Sequence, residues 1–219
     1  MPVTTYHQYI DNHPAKNDDK RMILGTIHPH ACQNFKIPFF YGNEASLWNI
    51  LEDAFPQYNF SNKESILKIL NEHNLWVSDI IKKCDRANEK VVTDDQLFNI
   101  VSNEEQISDA LIYTKIDTIY LTSRFGKNNA GKIFTDVFNL DYRSTFSDIT
   151  SEFYIPARKF GREIRCVALY SPSGSANIGI SCSKTYLANF PYYQQFKHPV
   201  KQFKTDFYKE KFKFLNKLI

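Results

Sequence analysis

Two stretches, RMILGTIHPH (residues 21–30) and RCVALYSPSGSAN (residues 165–177), decide how this chain folds. In each, a short apolar run passes directly into Gly, Pro, Ser and His. An apolar run that stops abruptly in small and polar residues is how a buried parallel strand delivers side chains and free backbone N–H groups to the rim of an α/β sheet. The two ends lie far apart in sequence, but one sheet can bring them to one cleft. The chemistry is expected there.

Working outward, MIL (22–24), LWVSDII (75–81), IDTIYLTS (116–123) and CVALY (166–170) predict four strands. SLWNILEDAF (46–55) has helical apolar spacing at Leu47, Ile50, Leu51 and Phe55, and KESILKILNEHN (63–74) predicts a second helix capped by Ser61 or Asn62. Helices are also expected over 104–114, 132–138 and 184–190, with an irregular stretch over 139–162. Strands alternating with helices at this spacing predict an α/β fold, a three-layer α/β/α sandwich around a central, mostly parallel four-stranded sheet. A chain of 219 residues suits one domain, 1–219, in which residues 1–20 are a loose polar lead-in and 197–219 a basic C-terminal helix.

The net charge of +3 is unevenly placed. Residues 197–219 carry seven Lys against Asp206 and Glu210, so this tail stands at +5 and the rest of the chain at −2. Such a tail suits phosphates. It equally suits a docked helix with a solvated lysine face, because Phe203, Phe207, Phe214 and Leu218 fall on one helical stripe. Cys32, Cys84, Cys166 and Cys182 stand far apart with no CxxC pair, which points to free thiols in a reducing compartment and away from a zinc or iron–sulfur site. The first 20 residues hold no apolar signal core and no run approaches membrane length, so a cytoplasmic protein with no membrane partner is expected.

The loops carry the candidate chemistry. Gly25 allows a sharp turn where a ligand approaches and Pro29 stiffens it. His28 and His30 suit donation to an anion or a leaving group, although loop histidines more often sit idle at a surface. SPSGSAN offers three hydroxyls, an amide and several backbone N–H groups for gripping phosphates, or else is a Ser-rich turn capping the next helix.

Taken in order with the aromatic loop HACQNFKIPFFYGN (30–43), these segments resemble the uracil-DNA glycosylase superfamily, closest to its hypoxanthine-DNA-glycosylase-like and uncharacterised bacterial branches. The matching features are the Gly25–Pro29 turn, then Phe39-Phe40-Tyr41-Gly42-Asn43, then a helix opening with Trp48. Ser78-Asp79-Ile80-Ile81 followed by Cys84-Asp85-Arg86, the small-residue turn Thr122–Lys132, and Ser171–Asn177 complete the series over about residues 21–180. Better-known branches carry an Asp, Asn or Glu in the first motif to orient the attacking water; Ile27 and His28 stand at those positions here.

The resemblance implies a monofunctional DNA N-glycosylase that flips a deaminated or modified base, of uracil or hypoxanthine type, out of DNA and hydrolyses its bond to the sugar. It implies no metal and no other cofactor, a monomer, and single- or double-stranded DNA as partner. Asn43 or Glu44 would orient water, His28 would face the departing base, and Asp79 would read base identity or cap a turn. Gly25, Thr26, Ile27 and Pro29 would surround the base, an aromatic from Phe39–Tyr41 (Phe39, Phe40 or Tyr41) beside Gly42 would stack on it, and Ser171, Pro172, Ser173, Gly174, Ser175 and Asn177 would hold phosphates and the vacated stack. The alternatives are a glycosylase for modified bases in foreign (phage) DNA, a catalytically inactive DNA-binding member of the fold, and a small-molecule hydrolase or nucleotide-binding protein using the same loops.

Overall fold

The computed structural model describes residues 1–43, 46–124, 126–141 and 151–216. Its strands are β1 (Val3–Tyr6), β2 (Arg21–Gly25), β3 (Leu75–Asp79), β4 (Ile81–Arg86), β5 (Phe98–Ser102), β6 (Thr118–Leu121), β7 (Glu152–Ile155) and β8 (Ile164–Ala168). The helices described are α1 (Leu47–Ala54), α2 (Lys63–Glu72), α3 (Glu104–Tyr113), α4 (Ala130–Val137), α5 (Ala157–Phe160), α6 (Asn177–Ser181), α7 (Lys184–Tyr193) and α8 (Pro199–Lys211).

The run Met22-Ile23-Leu24 is apolar throughout because β2 lies inside a sheet covered on both faces. Ile23 joins Val77, Tyr120 and Val167 in a core filled by α1, α2 and the C-terminal Tyr208 and Phe212. Met22 and Leu24 point the other way, into a core with Trp76, Ile119 and Leu121 that takes Ile107 and Leu111 of α3 and Phe134 of α4. The expected strands β3, β2, β6 and β8 pair in parallel in that order. The sheet nevertheless has five strands, because β7 adds antiparallel to β8 at the edge. Its four residues lie in the polar, aromatic stretch expected to be irregular, and they pair only because β8 leaves an edge open.

Two further expectations are corrected. LWVSDII is two strands, since β3 ends at Asp79 and β4 enters a separate antiparallel sheet of order β1-β4-β5. Between them the Ile80 and Ile81 amides donate to the Gly25 and Thr26 carbonyls, so the chain follows the first loop before it changes sheets. Ile80 and Ile81 are both buried, which hides the corner from an apolar-run reading. The lead-in is not loose: β1 pairs with β4, and Thr5, His7 and Ile10 are buried behind it.

At the other end α8 docks as predicted, with Phe203, Tyr208 and Phe212 buried. The helix stops at Lys211 and Phe214 packs from a 3-10 turn, while Leu218 lies outside the described residues. Among the described residues no helix is long and apolar enough to cross a membrane.

Ile10 tests the role of the N-terminal segment. It is 1% exposed in the core shared with α1 and α2, so Ile10→Ala should lower unfolding stability by about 2–5 kcal/mol. Tyr6→Ala, at 60% exposure, should stay within about 0.5 kcal/mol of the parent in the same urea titration.

Candidate active site

The parallel strands end together. Gly25 stands opposite Asp79, and Leu24 opposite Leu121, so the loops after β2, β3, β6 and β8 leave one edge of the sheet. The chain runs from β2 outward to β3 and then back to β6 on the other side, making the gap between β2 and β6 the place where strand order reverses. Ligands of open α/β sheets bind at such a point. A cavity of about 500 Å³ opens there, lined by Thr26, Ile27, His28 and Pro29 of the first loop, by Asp79, and by Ser171, Pro172, Ser173 and Ser175 of the second. The ends of residues 21–30 and 165–177 therefore meet.

Gly25 is required by space. A Cβ there would lie 1.9 Å from the Tyr41 hydroxyl and 2.2 Å from Asp79 Oδ1. Tyr41 sits over it with φ of 53°, its hydroxyl 3.0 Å from Thr122 Oγ1. Gly42 is equally constrained, since a Cβ would collide with the Ile37 carbonyl. These contacts hold the aromatic loop against the strand ends.

Asp79 is 5% exposed. Its Oδ2 accepts from His7 Nε2 at 2.7 Å, and its buried Oδ1 has no hydrogen-bond partner. His7 Nδ1 in turn accepts from the amides of Tyr9 and Ile10, which fixes the ring. Sequence reasoning missed His7, because it comes from the segment taken for a lead-in.

His28 lines the cavity but does not fit the donor role expected of it. Its Nδ1 donates to its neighbour's carbonyl, Pro29 O, at 2.8 Å, and its Nε2 accepts from the Gln8 amide at 3.0 Å. Burial lowers its pKa to about 4, so it is neutral at pH 7 with both nitrogens committed. It shapes the loop. Phe40 is likewise corrected: it is 1% exposed in the core, its carbonyl receiving Trp48 Nε1. Tyr41 and the half-buried Phe35 are the aromatic rings on the cavity wall. The signal for Phe35 was its position inside the aromatic loop, where nothing in the pattern set it apart from Phe39, Phe40 and Tyr41.

Asn43 is exposed and lines both this cavity and a neighbouring groove of about 780 Å³. Glu44 lies outside the described residues. The groove also takes Gly174 and Asn177, and it is edged by Lys36, Lys197 and Lys201. Asn177 Oδ1 is buried without a partner.

The Ser loop is held from beneath by Lys204, 3% exposed, whose Nζ donates to the carbonyls of Pro172 and Ser173 at 3.2 Å and Ser171 at 3.5 Å. Drawing the carbonyls inward leaves the exposed hydroxyls of Ser173 and Ser175, 2.8 Å apart, on the outer side. The lysine face of α8 is thus not wholly solvated; Lys204 is buried and Lys211 pairs with Glu152.

One more acid lines the cavity. Asp94, in a 3-10 turn (Asp94–Gln96) between β4 and β5, accepts from Thr26 Oγ1 at 2.9 Å. Burial raises its carboxyl to about 7, with the nearby Asp79 and Asp95 adding to the rise and Arg86 opposing it. No motif or apolar spacing in the sequence singles it out.

Compared with known proteins, the sequence matches no protein-family model and no curated protein.

Lys204 provides a pH-dependent test. Burial lowers its pKa from 10.5 to about 8, so between those values the unfolded chain binds a proton that the folded chain releases. Its contribution to stability therefore rises with pH across that window. Lys204→Met should remove that slope and, at pH 7, lower stability by about 1–3 kcal/mol by leaving the loop carbonyls without a donor. Urea unfolding at pH 7, 8, 9 and 10 measures both.

Proposed function

We propose that this protein is a DNA N-glycosylase of three-layer α/β/α, uracil-DNA glycosylase-like architecture. It flips a deaminated or modified base out of DNA and hydrolyses the base–sugar bond, leaving an abasic site. The observation that supports this most is the meeting of the Gly25–Pro29 and Ser171–Ser175 loops with Asp79 around one cavity of about 500 Å³, beside a lysine-edged groove. That volume suits a nucleobase and its sugar.

On this reading the free Oδ1 of Asp79 accepts the ring N–H that uracil and hypoxanthine share, while His7 holds the carboxylate in place. Phe35 and Tyr41 wall the base, and Asn43 at the mouth orients water. The Ser171, Ser173 and Ser175 hydroxyls grip the phosphates flanking the flipped nucleotide, and Lys36, Lys197 and Lys201 attract the strand by charge. The chain acts as a monomer on DNA in the cytoplasm.

Duplexes and single strands carrying one uracil, hypoxanthine or bulky modified pyrimidine, treated with the protein and then with alkali, should break at the modified position. Asp79→Ala should reduce single-turnover excision by about 100-fold or more. Ser173→Ala with Ser175→Ala should weaken DNA binding without abolishing chemistry and leave its salt dependence unchanged, because the hydroxyls are neutral. Tight, salt-sensitive binding with no break on any substrate would assign the chain to DNA-binding members of the fold that lack catalysis.

A further inference from the structure

The first loop lacks the acid or amide that a water-activating residue requires, since Ile27 is apolar and both nitrogens of His28 are engaged. The chemistry still needs a group to take a proton from water and to balance positive charge developing on the sugar. The structure points to a replacement from another part of the chain, and this step rests on the glycosylase reading above.

We propose that Asp94, carried by the turn between β4 and β5 of the second sheet, is the general base of the hydrolysis and the anion that faces the cationic sugar. Three features of its setting support this. Asp94 lines the same cavity as the first loop, and the Thr26 hydroxyl fixes one of its oxygens at 2.9 Å. Its turn is bolted down from a separate element: Asn128 Nδ2 donates to the carbonyls of Asp94 and Leu97, and the Lys127 amide donates to Asp95 Oδ1. Asp79 lines the same cavity, and its buried Oδ1 has no hydrogen-bond partner within the protein. A base held by Asp79 would keep its sugar within the cavity that Asp94 also lines.

The electrostatics suit the task. The titratable groups that face Asp94 are Asp79 at the end of β3, Cys84 and Arg86 of β4, Tyr41 of the aromatic loop, and Asp95 beside it in the turn. Burial, with the two acids beside it, outweighs the Thr26 hydrogen bond and the one guanidinium, so the carboxyl titrates near neutrality, where a general base combines availability with proton affinity. In the reaction the C1′–N bond breaks and its electron pair leaves on the base. The oxygen of water forms the new bond to C1′, and the proton of that water passes to the Asp94 carboxylate. The departing base anion is protonated from solvent, and Asp94 returns its proton to solvent.

Asp94→Asn is isosteric and keeps an acceptor for the Thr26 hydroxyl; urea unfolding checks that it folds. On the best substrate of the panel, single-turnover excision by the parent should rise with pH through about 7 and then level, because the base must be unprotonated. In Asp94→Asn the rate should drop at least about 100-fold and lose that limb. A second measurement needs no turnover: binding to DNA that carries a cationic pyrrolidine in place of the target sugar, against the same DNA with neutral tetrahydrofuran. The parent should favour the cation at least about tenfold, and Asp94→Asn should bind both alike.

Excision by Asp94→Asn within about threefold of the parent, with the same pH profile, overturns the assignment while the glycosylase reading stands. No excision of any substrate by the parent removes that reading, and equal binding of the two analogues by the parent then removes the assignment as well.

Discussion

The buried guanidinium of Arg86 joins the parts on which the site depends. It is 1% exposed and donates from Nε to Thr5 Oγ1 in β1, from one terminal nitrogen to the Val91 carbonyl, and from the other to the carbonyl of His28. One side chain therefore ties the N-terminal strand, the connection leading to Asp94, and the first loop of the main sheet. A buried charge with its donors so fully used is expensive to disturb, since any partner lost leaves a cation in an apolar interior. This makes the small antiparallel sheet the backing of the cavity and not an appendage. Thr5 reinforces it by a further contact with His30 Nδ1 at 3.1 Å.

Around that anchor the cavity is built by polar groups that face away from it. His28 is consumed by Gln8 and Pro29, Lys204 by the carbonyls of the Ser loop, and His7 by Asp79 and two amides. Each of these residues has a chemical reputation, and each serves here to set loop geometry. Side chains whose hydrogen-bonding capacity is spent on the scaffold hold the remaining groups in position. Asp79 Oδ1 is left over, and Asp94 reaches the cavity from the second sheet.

Much of the fold was legible because it follows from periodicity. The four parallel strands, the helices opening near Leu47, Lys63 and Glu104, and the docking of the C-terminal helix all appeared as apolar spacing. What escaped were features with no local signal. The corner at Ile80 is followed by a second buried isoleucine, β7 is a four-residue edge, and β1 is a polar strand whose partner lies about eighty positions away. For the site, small-residue turns after apolar runs identified both loops, whereas His28 and Phe40 were misplaced because composition does not say which nitrogen is occupied or which ring is inside.

The sequence by itself determined the parallel α/β class and which loops would gather at the strand ends, because burial on two faces forces continuous apolar runs and their ends must turn at the rim. Only the tertiary structure decided which polar atoms remain free there. Hydrogen bonding is settled between residues such as His7 and Asp79, or Thr26 and Asp94, that are some seventy positions apart. No local pattern encodes such pairings; they exist only once the second sheet has closed over the first loop.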